Sequence, residues 1–220
     1  LVGSEMCIRD RYIIIRGGFI LENNIIPRFE NYNWIDEIRK YIPYNTQEEK
    51  DKELILKCIN DYDNLLFREN PIAHITSSGY IVNKDRTKVL MIHHNIYKTW
   101  AWTGGHADGD PDLIHVAIKE AIEETGVKHF DVVSEEILSL DVLTVDGHIK
   151  KGHYVSSHLH LSLAYLLECN ENDKLIVKED ENSGVMWIPI NEIDKYSNEP
   201  YMINLYNKFN EKIKDNPSFK

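Results

Sequence analysis

The chain has few cysteines and lacks a long apolar run. Its three cysteines, Cys7, Cys58 and Cys169, are odd in number and widely spaced. This argues against a disulfide framework and against a cysteine-based zinc pattern. We therefore expect a reducing compartment, the cytoplasm. No apolar stretch approaches the ~20 residues that span a bilayer, so we expect no membrane partner.

An excess of basic charge is also missing. The formal net charge is −11 over 220 residues, which argues against binding to a nucleic-acid backbone, because the phosphates would be repelled. Internal repeats and low-complexity tracts are absent from the sequence. The length suits one domain with an extension, and such a chain can bury a sizeable core.

Three carboxylates with helical spacing are the most informative feature. Glu120, Glu123 and Glu124 stand at i, i+3 and i+4, so they share one face of a helix. Like charges on one face repel unless a cation lies among them. Carboxylate oxygens suit hard divalent cations. The spacing therefore predicts a site for Mg²⁺, with Mn²⁺ as the alternative.

The flanking residues support a strand, a glycine loop and a helix in that order. Thr103-Gly104-Gly105 ends a strand-like stretch. Asp110 is predicted to cap the helix, with Pro111 at its first position, where the missing N–H costs nothing. Gly126 is predicted to end the helix.

The segment from Gly105 to Val127 resembles the Nudix box, G-x5-E-x7-R-E-U-x-E-E-x-G-U, in which U is a bulky aliphatic residue. Three positions depart from the box, namely Pro111 for its first glutamate, Lys119 for its arginine and Ala121 for an aliphatic residue. The resemblance implies metal ligation by Glu120, Glu123, Glu124 and the carbonyl of Gly105. We expect the departures to tune activity rather than abolish it.

The resemblance extends beyond the box. The segments that resemble a bacterial Nudix branch with Gly-Gly-His at the box entrance are Ala73–Tyr80, Val89–His94, Trp100–His106, His158–Leu161 and Glu181–Trp187. It implies an α/β fold, a Nudix-type α/β/α sandwich around a mixed sheet. Strands are predicted at 73–82, 88–94, 100–103, 137–145, 157–168 and 185–188, with a closing helix at 201–214.

Three regions are predicted along the chain. Residues 1–11 resemble a translated sequencing adapter, and residues 1–28 are predicted to be an artefact or an unstructured leader. Residues 29–70 are predicted to form a short helical extension, with Thr46 and Glu49 as a capping box. The extension either packs on the main fold, which we favour, or forms a dimer or covers the substrate. Residues 71–216 form the predicted Nudix domain.

The resemblance implies roles for the individual carboxylates. Glu120 and Glu124 are expected to bind the metal directly, and Glu123 is either a ligand or the base that accepts a proton. Many Nudix enzymes use a later glutamate outside the box. Glu181 is the first candidate for that role and Glu179 the second, with an ordinary exposed loop carboxylate as the alternative for both.

Histidines and tryptophans supply further candidates. His158 and His160 alternate with leucines, so both point to one face of a strand. Together with His106, they either contact a substrate phosphate, hold a second metal, or form ordinary hydrogen bonds on the polar side of a sheet. Trp100, Trp102 and Trp187 are candidates for base stacking, although we expect at least two of the three to pack in the core.

These observations favour a metal-dependent hydrolase that cleaves a diphosphate linkage in a nucleoside diphosphate derivative. The sequence does not choose among an ADP-ribose-like compound, a sugar nucleotide and a nucleoside triphosphate. The alternative is a non-catalytic Nudix-fold module that binds a nucleotide. Isomerisation of a prenyl diphosphate would need a cysteine near the box, and none lies between Cys58 and Cys169. A homodimer is left open.

Overall fold

The computed structural model describes residues 33–150 and 152–219, together with the backbone of two earlier strands. The strands are β1 (Tyr12–Ile15), β2 (Gly18–Leu21), β3 (Ala73–Asn83), β4 (Lys88–His94), β5 (Trp100–Ala101), β6 (Thr103–His106), β7 (Asp131–Val132), β8 (Ser139–Val145), β9 (His148–Lys150), β10 (His153–Val155), β11 (His158–Cys169) and β12 (Asn182–Pro189). The helices are α1 (Trp34–Lys40), α2 (Thr46–Asp61), α3 (Leu113–Thr125), α4 (Ile193–Tyr196) and α5 (Pro200–Asp215). The adapter-like residues 1–11 lie outside the described residues.

A mixed eight-stranded sheet organises the molecule. Its central order is β12-β4-β3-β11-β7, with β5 paired to β4, β6 to β3 and β8 to β11. Strands β3 and β11 are parallel and align His74 with His160, whereas the other pairs in this sheet are antiparallel. Two separate hairpins, β1–β2 and β9–β10, are also present.

Helices cover both faces of this sheet. Alternate residues of β3 point to opposite sides, so Ile75 joins one buried cluster and Tyr80 the other. The first cluster includes Ile55 of α2 and Ala117 of α3. The second includes Phe209 of α5. The predicted α/β/α sandwich with a mixed sheet is therefore confirmed.

The helices before the sheet join the same core. Ile38 of α1 and Ile55 of α2 are fully buried in the first cluster, which agrees with packing on the main fold. The predicted capping box was wrong by one residue, because Asn45 caps α2 and its side chain accepts from the N–H of Glu48 at 3.0 Å. Glu48, in the first turn of α2, is buried. The boundaries at residues 29, 70 and 216 stay predictions.

A buried cluster of charges joins α2, β8 and α5. Glu48 is 0% exposed, and its carboxylate accepts a hydrogen bond from Lys212 Nζ at 2.9 Å. Lys208 Nζ lies 3.0 Å from Glu48 and 2.5 Å from Asp141. Burial opposes ionisation, but Lys212 and Lys208 hold the pKa of Glu48 below its usual range. We call these four residues the compensated cluster.

The helix of the box begins later than expected. Asp112, not Asp110, caps α3 and accepts from the N–H of His115 at 3.1 Å, so Pro111 precedes the helix. The C-terminal prediction is confirmed, since Gly126 ends α3 with φ +72°, a conformation that glycine adopts without strain. Across the described part of the chain, no helix is both long and apolar enough to cross a bilayer.

Candidate active site

The glycines before α3 let two glutamates approach the sheet. The N–H of Gly104 donates to Glu124 Oε2 at 2.9 Å. A Cβ atom at Gly105 would overlap the carboxyl group of Glu120. Any larger residue at position 105 would therefore displace that carboxylate. The strand, loop and helix bring Gly105, Glu120 and Glu124 together, as the sequence predicted.

Glu124 is the most perturbed carboxyl group of this cluster. The residue is 4% exposed, and burial raises its pKa to about 8, helped by the neighbouring charge of Glu120. The hydrogen bond from Gly104 opposes this shift but does not overcome it. Within residues 33–150 and 152–219, no lysine or arginine forms a salt bridge with Glu124. A carboxyl group in this state is stabilised as an anion when a cation binds beside it.

Lys119 stands where the box has arginine. Its Nζ atom lies 3.1 Å from Glu120 and 3.9 Å from Glu123. Burial still raises the pKa of Glu120, while Lys119 opposes that shift. The lysine thus retains a positive charge beside two of the glutamates, although it lacks the planar fork of arginine.

A second lysine, which sequence reasoning missed, links the box to the later glutamate. Lys178 Nζ lies 3.2 Å from Glu123 and 2.9 Å from Glu181. Burial disfavours its charge, but hydrogen bonds to both glutamates raise the pKa of Lys178. Glu181 is therefore brought next to the box helix. Glu179, the second candidate, is exposed, and its backbone carbonyl accepts from Asn95.

The aspartates around Pro111 have other partners. Asp108 forms a bidentate salt bridge with Arg68. Asp110 lies 2.7 Å from His115, and Asp112 caps α3. These contacts engage all three carboxylates with partners other than the box glutamates. Pro111 stands where the box has its first glutamate, and these partners of the three aspartates do not put a carboxylate in its place.

The predicted histidines converge, and a fourth joins them. His158 and His160 are on one face of β11, and the ring of His106 is centred 5.0 Å from that of His160. His74, which sequence reasoning missed, is centred 4.8 to 5.0 Å from all three rings. Burial lowers the pKa of His74. The sequence feature that could have identified His74 is its alternation with Thr76 and Ser78 along one face of a strand. Only the register of β3 with β11 shows that it lies beside His160.

One cavity of about 640 Å³ is lined by members of both groups of residues. Its walls include Gly105, Glu124, His74, His106, His158 and His160. Arg68 and Tyr97 also line it. The size is within the range of small-molecule sites. The three tryptophans pack against the two cores, Trp100 and Trp102 on the second and Trp187 on the first, although Trp102 also reaches the cavity.

The oxygen donors fit a hard divalent cation. Glu120, Glu124 and the carbonyl of Gly105 supply oxygen atoms only, which is the donor set that Mg²⁺ prefers. Glu124 is the observation that tests the fit, because its buried carboxyl group has no lysine or arginine partner among the described residues. The residues present therefore suit the cation that the box implies.

Known proteins place the chain in a family. The family model described as NUDIX domain matches residues 73–209, whereas no curated protein matches the sequence. A NUDIX-family hydrolase from Clostridium perfringens has 20% identity, covering 63% of this chain and 96% of that chain, with a TM-score of 0.46. The Ap4A hydrolase of C. elegans in a binary complex has 20% identity, covering 62% and 95%, with a TM-score of 0.43.

A third similar structure is the NUDIX domain of Shewanella oneidensis NrtR, complexed with ADP ribose. It has 16% identity, covering 72% of this chain and 97% of that chain, with a TM-score of 0.46. Likeness at this level carries no conclusion about substrate, and the Gly-Gly-His branch stays a prediction. The family model covers more than half of the chain, and together with the strand–loop–helix geometry of the box it shows that this protein belongs to the NUDIX domain family.

Proposed function

We propose that the protein is a metal-dependent hydrolase that cleaves a diphosphate linkage in a nucleoside diphosphate derivative. Membership of the NUDIX domain family supports pyrophosphohydrolase activity. The observation that carries the proposal is the buried carboxyl group of Glu124, held by the N–H of Gly104 beside Glu120. It lies on the wall of a cavity large enough for such a substrate.

The residues divide into ligands and a base. Glu120, Glu124 and the Gly105 carbonyl would hold Mg²⁺ or Mn²⁺, with Glu123 at the exposed edge of the cluster. When bound, the metal would neutralise the charge that builds on the diphosphate oxygens. Glu181 is exposed to solvent and is held beside the box by Lys178. We assign it the role of accepting the proton of the attacking water.

The surrounding charges favour a phosphate-bearing substrate. Arg68 lines the cavity and offers a guanidinium group, although Asp108 shares it. Lys119 and Lys178 lie beside the glutamates. These local positive charges counter the overall charge of −11, which would otherwise repel an anion. The cavity is compatible with an ADP-ribose-like compound, a sugar nucleotide or a nucleoside triphosphate.

A non-catalytic nucleotide-binding module is the second candidate. Pro111 favours it, because it removes the first glutamate of the box and the nearby aspartates are engaged elsewhere. Both candidates require a nucleotide in the cavity. They differ in whether the diphosphate bond is broken.

The deciding experiment measures product release from a panel of nucleoside diphosphate compounds, with Mg²⁺ and with a chelator. We expect metal-dependent cleavage of one compound class. Glu124→Gln should lower turnover roughly 100-fold or more, as for other groups that stabilise charge in the transition state, while Glu179→Gln should leave it unchanged. Nucleotide binding by the folded wild type without any turnover would contradict the hydrolase and support the binding module.

A further inference from the structure

Three histidines on the two central strands form a compact group of nitrogen donors. A ring nitrogen from each of His74, His158 and His160 lies within 4.8 Å of ring nitrogens of the other two. His74 and His160 are aligned in the parallel pairing of β3 and β11, and His158 lies two residues before His160 on the same face. The backbone that carries them is therefore part of the rigid sheet.

The hydrogen bonds of two rings prepare them for a metal. Nδ1 of His158 donates to the carbonyl of Ser156 at 2.8 Å, and Nδ1 of His74 faces the carbonyl of Asn70 at 3.3 Å. A carbonyl oxygen accepts but cannot donate, so the proton of each neutral ring is on Nδ1. This leaves Nε2 of both rings with a lone pair. Ligating histidines are oriented in this way by a partner on their other nitrogen.

The burial of His74 points to a missing ligand. The residue is 4% exposed, and its Nε2 atom is buried without a hydrogen-bond partner among the described residues. Such an acceptor is costly to leave unsatisfied. An ion at the centre of the three rings would satisfy it, and His74 is one of the residues that line the cavity.

We propose that His74, His158 and His160 bind a borderline transition-metal ion of the Zn²⁺ class, separate from the glutamate site. Imidazole nitrogens suit such ions, whereas carboxylates suit Mg²⁺. Zn–N bonds of about 2.0–2.1 Å place tetrahedral nitrogens about 3.3 Å apart, so the rings must draw closer by small rotations. Three protein ligands leave a fourth position that faces the cavity and takes an oxygen atom of water or substrate.

Zn²⁺ titration of the metal-stripped full chain, in excess Mg²⁺, tests the site by calorimetry. We expect one Zn²⁺ per chain. His158→Asn and His160→Asn should each raise the dissociation constant about 100-fold or more, since loss of outer-shell partners alone costs 10–100-fold. His148→Asn is the matched control, because His148 lines the same cavity and its Nδ1 also faces a carbonyl, that of Asp146.

The glutamate site provides the second control. Glu124→Gln should retain Zn²⁺ binding even if it abolishes turnover, so this site and the proposed hydrolase are tested separately. Visible absorption of bound Co²⁺ should show a four-coordinate ion in the wild type and in Glu124→Gln. His158 is partly exposed, so its variant should fold, as a thermal melt would verify. Zn²⁺ binding that survives in folded His158→Asn, or that is absent from the folded wild type, would overturn the proposal.

Discussion

The two clusters of buried carboxylates differ in what balances their charge. In the compensated cluster, Glu48 and Asp141 are fully buried, and Lys208 and Lys212 lie within 3.0 Å of them. In the box, Glu124 is nearly as buried but receives a backbone N–H rather than a cation. The pKa of Glu48 is lowered, whereas that of Glu124 is raised to about 8.

The contrast separates structural charges from functional ones. A carboxylate whose partner is part of the chain is satisfied when the protein folds. A carboxylate that lacks such a partner destabilises the fold at neutral pH unless an external cation binds. Burial by itself does not distinguish the two clusters, but the source of positive charge does.

Removing a charge from the compensated cluster should have the largest effect on stability. Glu48→Gln leaves Lys212 and Lys208 buried with one carboxylate fewer, and breaking a buried pair costs about 3–5 kcal/mol. Chemical denaturation should show this loss, while the turnover of the folded fraction stays near that of the wild type. A loss below about 1 kcal/mol would mean that the lysines find other partners and that Glu48 does not depend on them as a structural charge.

A change at Glu181 should act on turnover instead. If Glu181 accepts the proton of the attacking water, Glu181→Gln should lower kcat about 100-fold, the lower range for a general base. Unfolding should be nearly unchanged because the side chain is exposed. Steady-state kinetics beside Glu179→Gln provides the comparison. Equal activity of the two variants would return the role of base to Glu123.

The pH dependence of stability should separate Glu124 from Glu48. In chelator, the folded state keeps the proton of Glu124 up to a pKa of about 8, whereas a glutamate in the unfolded chain loses it near the ordinary pKa of 4.5. The unfolded state therefore binds fewer protons between these values, and stability falls as the pH rises.

Glu124→Gln removes this slope. The stability of the variant relative to the wild type should therefore increase by roughly 2 kcal/mol between pH 6 and pH 8, from 1.4 kcal/mol per pKa unit. Denaturation curves at both pH values measure the difference. An equal change in the free energy of unfolding of the two proteins between pH 6 and pH 8 would show that Glu124 is not protonated in the folded, metal-free state.

Local patterns were sufficient to predict the elements that bear the site. The helical spacing of the three glutamates and the glycine at position 126 predicted α3 and its end, and the resemblance to the box implied that Gly105 lies beside the glutamates. The predicted start of α3 was wrong, because Asp110 and Asp112 are both good N-cap residues and Pro111 is compatible with a helix that begins after either of them. The hairpin β9–β10 was missed because its strands are only three residues long.

Contacts between residues that are far apart along the chain could not be predicted from the sequence. Glu48 and Lys212 are 164 residues apart. Nothing in the sequence around either residue indicates that the two will form an ion pair. The place of His74 likewise depends on the parallel register of β3 with β11. Lys178 was missed for the same reason, since its contact with Glu123 joins a loop to a helix 55 residues away.

The need of Glu124 for an external cation can be measured as the stabilisation of the protein by Mg²⁺ at pH 8. A cation at 100 times its dissociation constant should add about 2.7 kcal/mol to the free energy of unfolding. We predict that the wild type gains this stability over a sample in chelator and that Glu124→Gln gains little or none. Equal gains in both proteins, or none in the wild type, would contradict the account of Glu124 as a carboxylate that requires an external cation.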